Sequence, residues 1–367
     1  MKILVLTNFG MGLYKFRREL LEVLCGNNEV YVALPDGEYT EKLKEIGCRY
    51  VPFEFNRRGI NPIADFKQIL DYRKLIKKVR PDVVLTYTIK PNVYGGIACR
   101  LTKTPYIVNV TGLGTSIENG GLLSFISTTL YRVGLKKANC VFFQNKENYD
   151  LFVERKIYKG TARVIPGSGV NLEYHTYKEY PDDASYIKFL FIGRIMRDKG
   201  VNELLQAMKD IHMLYPNASL DILGGCDEDY ADLLEAEDIK TYICYYAHKN
   251  DVRPFIHASH CTVLPSYHEG TANVLLESAA AGRPVIATRV AGCKETFDEG
   301  ITGFGCDVRN SDSLVEAMKQ FIELPMERKK QMGLLGREKM QREYDRNIVI
   351  NAYCEEINNI TNILMEM

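Results

Sequence analysis

Short runs of consecutive apolar residues alternate along the chain with polar turns and helix-period segments, the signature of parallel strands joined by crossover helices. In the first half the segments read as strands, each mainly apolar, fall at 3–6, 30–34, 50–55, 82–87, 106–110, 140–144 and 162–165. Between them the periodicity predicts helices over 15–24, 40–46, 63–79, 92–101, 122–137 and 146–155. A second alternation starts at 188–192 and continues through a helix at 201–215, strands at 219–223 and 242–245, a helix at 251–258 and a strand at 260–264. The end of the chain, from about 328 onward, reads as charged helix. The expected fold class is α/β, two doubly wound Rossmann-like domains.

Between the two alternations, the stretch from Pro166 to Asp183 is polar, rich in turn residues and without period, so it reads as a connection. The expected organisation is an N-terminal domain at 1–168, a linker at 169–186, a C-terminal domain at 187–345, and a last helix at 346–367 returning to the first domain. A length of 367 residues also favours two cores over one.

Composition narrows the function classes. Lys+Arg and Asp+Glu are both 47, so no net field recruits nucleic acid. Ten cysteines are scattered without a Cys-x-x-Cys pair, which speaks against a disulfide framework or a zinc site and for a reduced cytosol. The apolar N-terminal run is too short for a signal peptide, and no run approaches the roughly 20 residues that span a bilayer. Any membrane contact is therefore expected to be peripheral, on the inner face of the plasma membrane.

The candidate chemistry gathers in the stretch from Pro265 to Pro284, which reads as strand end, polar turn, helix and next strand. In open α/β sheets ligands collect at the carboxyl ends of strands, where the following helix aims free N–H groups outward. Glu269 sits in the turn and Glu277 eight residues later, roughly 12 Å away if the whole interval is helical. That is the reach of a nucleoside diphosphate, with Glu277 on the ribose hydroxyls and Glu269 on the group carried by the far phosphate. Two solvated helix glutamates are the competing reading. Gly193-Arg194 and Lys199-Gly200 bracket another strand-to-helix turn, where Arg and Lys neutralise a diphosphate, one as a fork and one as a compact charge.

Other features are less directed. The turn Phe9 to Tyr14, with Gly10 and Gly12, lacks the third glycine and the acidic strand end of a dinucleotide fingerprint, so a nicotinamide site is not expected. Arg57 and Arg58 suit either a phosphate or a solvated loop. The helix at 63–79 ends in a basic, amphipathic stretch that suits an anionic lipid surface or merely a wet face. The apolar helix at 122–137 is either core or a grip on a lipid-linked substrate. Asp227-Glu228-Asp229 has an Asp-x-Asp pattern that binds divalent ions in some enzymes, but its setting in an acidic helix start does not favour a metal.

With the segment from Phe191 to Gly200, the segment from Pro265 to Gly270 and the Glu-x7-Glu spacing, the chain resembles the retaining family-4 glycosyltransferases of the GT-B fold, whose two domains face each other across a cleft. The combination of Asp36 to Thr40, Phe53 to Arg57, Asn61-Pro62 and Gly112 to Gly114 is similar to bacterial enzymes that extend undecaprenyl-diphosphate-linked glycans, in particular N-acetylgalactosaminyltransferases of bacillosamine-linked glycan synthesis. The resemblance implies a UDP-sugar donor, a lipid-linked saccharide acceptor and no metal or other cofactor. It implies catalytic roles for Glu269, Arg194 and Lys199, with Arg194 and Lys199 on the donor diphosphate, Glu277 on the ribose and Glu269 on the donor sugar. The loop Gly270-Thr271-Ala272 would supply backbone donors, and Gly12 would let the first domain close over the donor. Many relatives carry a His where this chain has Thr111, so that donor contact does not transfer. A UDP-sugar epimerase on the same architecture, or a non-catalytic nucleotide-sugar-binding protein, are the alternatives.

Overall fold

The structure is a computed structural model that describes residues 1–54, 62–112, 121–182, 185–228, 230–234, 236 and 239–366. Arg57, Arg58, Asn61, Gly114 and Asp229 lie outside the described residues. Two compact units form: residues 1–168 with 347–367, and residues 169–346.

The first unit holds seven parallel strands: β1 (Lys2–Leu6), β2 (Glu29–Leu34), β3 (Arg49–Pro52), β4 (Val83–Tyr87), β5 (Tyr106–Val110), β6 (Cys140–Phe143) and β7 (Ala162–Val164). Their order is β3-β2-β1-β4-β5-β6-β7. Crossover helices cover both faces, which is why β4, β5 and β6 are buried at every position and are mainly apolar in sequence, with Thr86 and Asn109 as buried polar exceptions. The helix Arg346–Glu366 completes one face by burying Val349, Ile350, Tyr353, Ile357 and Ile360. Its Tyr353 hydroxyl accepts a 2.8 Å bond from the buried Asn109 Nδ2.

The second unit holds six parallel strands: β8 (Ile187–Ile192), β9 (Ala218–Leu223), β10 (Ile243–Tyr245), β11 (Cys261–Leu264), β12 (Val285–Thr288) and β13 (Gly303–Cys306), in the order β10-β9-β8-β11-β12-β13. In each sheet the order reverses beside the first strand of the unit, at β1/β4 and at β8/β11. These are the crevices where doubly wound folds bind ligands.

Several local expectations are corrected. The first helix spans Gly10–Asn27, so Gly12 lies inside its first turn and not in a turn ahead of it. The helix expected at 92–101 opens with a π turn, Pro91–Gly95, before Gly96–Thr102. In the apolar helix Gly121–Leu135, Tyr131 and Leu135 are buried whereas Phe125 and Val133 are exposed, so it is core on one side only. Strand β13 and the helix Ser311–Glu323 had no counterpart in the sequence reading.

Residues 169–182 and 185–186 belong to the second unit and bury Val170, His175 and Tyr180. Burial, with help from Arg346 and Arg253, lowers the His175 imidazole from 6.5 to about 4. Below pH 6.5 the unfolded chain then takes up a proton that the folded chain refuses, so stability is lost as pH falls from 6.5 towards 4. Thermal melts at pH 7 and pH 5 should show a smaller drop in Tm for His175→Gln than for the natural chain. Equal drops would remove His175 from the acid response.

Candidate functional site

The site is assembled from four strand ends at the β8/β11 crevice. Past β8 and β9 the chains stay paired, with Gly193 N donating to Leu223 O at 2.9 Å, Ile195 N to Gly225 O at 2.8 Å, and a bridge between Ile195 and Cys226. That extension places Arg194 beside Asp227, and the two form a 2.8 Å ion pair exposed to solvent. Arg197 N donates to Glu228 Oε2 at 2.8 Å. The first two acids of the Asp-x-Asp pattern are thus engaged with this turn. Among the described residues no group of three His, Cys, Asp or Glu is arranged to hold a metal.

A single 3-10 turn, Arg197–Lys199, leads to Gly200 at φ +70. A Cβ at Gly200 would lie 2.1 Å from the Pro265 carbonyl oxygen, so both its conformation and its neighbour require glycine. Tyr267 N donates to Asp198 O at 2.9 Å, tying the turn after β8 to the turn after β11. The close approach delivers Lys199 to Glu269: Nζ to Oε1 is 2.5 Å, and the side chains are only 20% and 15% exposed. Ser266 Oγ donates to the same carboxylate oxygen at 2.8 Å. The hydroxyl of Thr288, at the end of β12, donates to Ser266 O at 2.5 Å.

Beyond Glu269 the chain runs through Gly270 and the buried Thr271 and Ala272. Ala272 N donates to Gly292 O at 2.8 Å, holding the loop against the turn after β12. The helix Asn273–Ala280 follows with no side-chain cap at its N-terminus, so its first amides point out of the strand end. Glu269 therefore precedes the helix by four residues, and the all-helical spacing to Glu277 does not apply. Glu277 is half-buried on the helix. Leu275, Leu276, Ala279 and Ala280 bury the opposite side of the same helix, each large apolar side chain contributing about 1.5–3 kcal/mol.

Two further residues of the stretch from Pro265 to Pro284 shape the site. Tyr267 donates its hydroxyl to Glu203 Oε1 at 2.8 Å, and Arg309 Cζ stands 4.7 Å from its ring centroid. Burial first, then Glu203, pushes the Tyr267 phenol up to about 12, so it stays a neutral donor. Arg283 is fully buried and donates to the carbonyls of Lys178, Glu179, His257, Ala281 and Gly282 at 2.8–3.3 Å. It ties the carboxyl end of the site helix to 178–179. In the first unit, Gly12 lies in the first turn of the helix after β1 and Thr111 is exposed after β5.

At this topological switch point two cations, Arg194 and Lys199, each paired with a carboxylate, Asp227 and Glu269, occupy the strand-to-helix turns along with the N-terminus of Asn273–Ala280, groups that suit a phosphorylated ligand. Comparison with known proteins points the same way. Residues 178–339 match the family described as glycosyl transferases group 1, and residues 2–145 match glycosyl transferase 4-like. The chain is 27% identical to the N,N'-diacetylbacillosaminyl-diphospho-undecaprenol alpha-1,3-N-acetylgalactosaminyltransferase of Campylobacter jejuni, over 97% of this chain and 98% of that protein. It is 23% identical to the capsular polysaccharide biosynthesis glycosyltransferase CapM of Staphylococcus aureus, over 93% and 91%. Anabaena HepE, solved in complex with UDP and glucose, superposes with a TM-score of 0.80 at 17% identity over 98% of this chain and 99% of that one. Two parallel-sheet domains and these likenesses give the GT-B fold anticipated from the sequence.

Proposed function

We propose that the chain, whose residues 2–145 match glycosyl transferase 4-like and 178–339 match glycosyl transferases group 1, is a retaining glycosyltransferase moving a hexose or N-acetylhexosamine from a UDP-sugar to an undecaprenyl-diphosphate-linked saccharide. The observation that carries this reading is the largely buried pair Lys199–Glu269 in the turns ahead of the helix Asn273–Ala280, with Arg194 on the same strand-to-helix turn as Lys199. The donor named for HepE and the lipid-linked acceptor named for the Campylobacter enzyme support the choice of substrates.

In the proposed reaction the bond from the sugar anomeric carbon to the diphosphate breaks, and an acceptor hydroxyl attacks the same face. The departing phosphate takes the hydroxyl proton. Negative charge grows on the phosphate as the sugar becomes oxocarbenium-like. Lys199, Arg194 and the helix amides stabilise that charge in place, with no reorganisation at the moment of transfer. Glu269, held by Lys199 and Ser266, faces the donor sugar. Glu277 accepts the ribose hydroxyls, so Glu277→Ala should weaken UDP binding by about 10-fold or more, the loss of one charged hydrogen-bond acceptor. Calorimetric titration with UDP checks this, and an unchanged affinity would undo the ribose role.

The deciding assay pairs labelled UDP-sugars with an undecaprenyl-diphosphate saccharide. Transfer with retention is expected, at full rate in excess chelator, because Lys199, Arg194 and the helix amides supply the positive charge. A strict Mg2+ requirement would revive a metal at Asp227, and conversion of the donor alone to its epimer would overturn the transferase reading. For the acceptor we propose peripheral contact with the inner membrane face through Pro62–Val79, where Ile63 and Phe66 are exposed beside Lys67, Lys74, Lys77 and Lys78. Among the described residues no helix is long and apolar enough to cross a membrane.

A further inference from the structure

Far along the chain from the strand-end residues of the second unit, two thiols of the first unit meet. Cys25 lies in the last turn of the helix Gly10–Asn27, and Cys48 immediately precedes β3. Their sulfurs are 3.7 Å apart. The approach is enforced by the backbone: the helix Thr40–Glu45 is followed by Gly47 at φ +105, whose N donates to Lys44 O at 2.9 Å, while Cys48 N donates to Leu43 O at 3.2 Å. A Cβ on Gly47 would sit 3.5 Å from Cys25 Cβ, so the chain passes directly over Cys25 just before delivering Cys48. The two thiols differ in access. Cys48 is 4% exposed within the core, and Cys25 is only partly buried.

We propose that Cys25 and Cys48 form a dithiol site that low-molecular-weight disulfides oxidise to an intramolecular disulfide. The accessible Cys25 thiolate attacks one sulfur of the small disulfide, forming a mixed disulfide and releasing one thiolate. Cys48 then loses its proton and attacks the Cys25 sulfur, displacing the second thiolate. The two cysteine protons end on the two released thiols. The cysteine pair is oxidised by two electrons and the small disulfide is reduced by two. The order follows from the microenvironments: the hydrogen bond with Cys48 lowers the Cys25 thiol, whereas that bond, then burial, raises Cys48. Once formed, the link closes the segment between the first helix and β3, restricting the unfolded chain.

The test is incubation of the native chain with oxidised glutathione, alkylation of remaining thiols, and peptide mapping without reductant. The expected product is a peptide pair linked through Cys25 and Cys48, accompanied by a rise in Tm of about 5 °C. The exposed Cys244 serves as an internal control that reacts without acquiring a partner. In Cys48→Ser, or Cys48→Ala if the serine variant does not fold, Cys25 should retain a glutathione. In Cys25→Ser, Cys48 should remain a free thiol. A natural chain carrying glutathione on Cys25 with Cys48 still free would overturn the proposal, as would direct reaction of Cys48 in Cys25→Ser, or no reaction at either position.

Discussion

Replacing Lys199 with alanine is expected to lower the turnover of glycosyl transfer by about 10²- to 10³-fold, the usual cost of removing one preorganised group that meets developing charge. Lys199 is delivered to the crevice by the glycine-only turn at Gly200, and its ammonium is held 2.5 Å from Glu269 on the neighbouring strand end. Because the ion pair lies at the edge of the unit and no core side chain is removed, folding should survive, with Tm within a few degrees of the natural chain. Lys199→Arg should not restore activity, since the wider planar fork cannot take the place of a compact ammonium between Glu269 and a phosphate. Steady-state rates with saturating donor, beside a melting curve, check both halves. Near-normal turnover in a folded Lys199→Ala protein would remove the diphosphate assignment.

The second large effect concerns stability. Arg283→Met should cost at least about 3 kcal/mol, because it takes the guanidinium from five carbonyl oxygens, of which Ala281 O still accepts from Lys178 N at 3.3 Å, and an unsatisfied buried acceptor costs about 1–3 kcal/mol. The favourable transfer of a Met side chain offsets only part of this. Burial already lowers the Arg283 guanidinium from 12.5 to about 10, so the site holds the charge by virtue of those acceptors and of the Tyr180 ring 5.6 Å away. Against a total of about 5–15 kcal/mol, such a loss should appear as a Tm lowered by about 5 °C or more, with melting of the second unit leading. A Tm within one degree of the natural chain would show that 178–179 and the end of the site helix hold together without Arg283.

Much of this architecture was legible in the residues. The buried strands β1, β4, β5, β6, β8 and β11 are short, mainly apolar runs because crossover helices cover both faces of a parallel sheet, and a run of that kind has few other uses. Strand β13 was missed because its sequence, Gly-Phe-Gly-Cys, carries two glycines and no alternation. The helix at Gly10 was read as starting five residues late because glycines at its N-terminus look like a turn, although the first turn of a helix tolerates them. Of the site, the residue types and their strand-to-helix setting were visible, while the roles of Tyr267 and Arg283 were not, since Glu203, Arg309 and the carbonyls of 178–179 are remote in sequence.

By itself, then, the sequence determined most of the strands and helices, β13 and the helix Ser311–Glu323 excepted, and which short turns carry charge, because period, apolar runs and glycine act within one or two turns of chain. Only the tertiary structure decided that Lys199 meets Glu269, that Arg194 is shared with Asp227, and that Cys25 touches Cys48. These pairs span 70, 33 and 23 residues. Their geometry depends on strand order and on close backbone approaches such as Gly200 against Pro265, and no local pattern encodes which strand ends become neighbours.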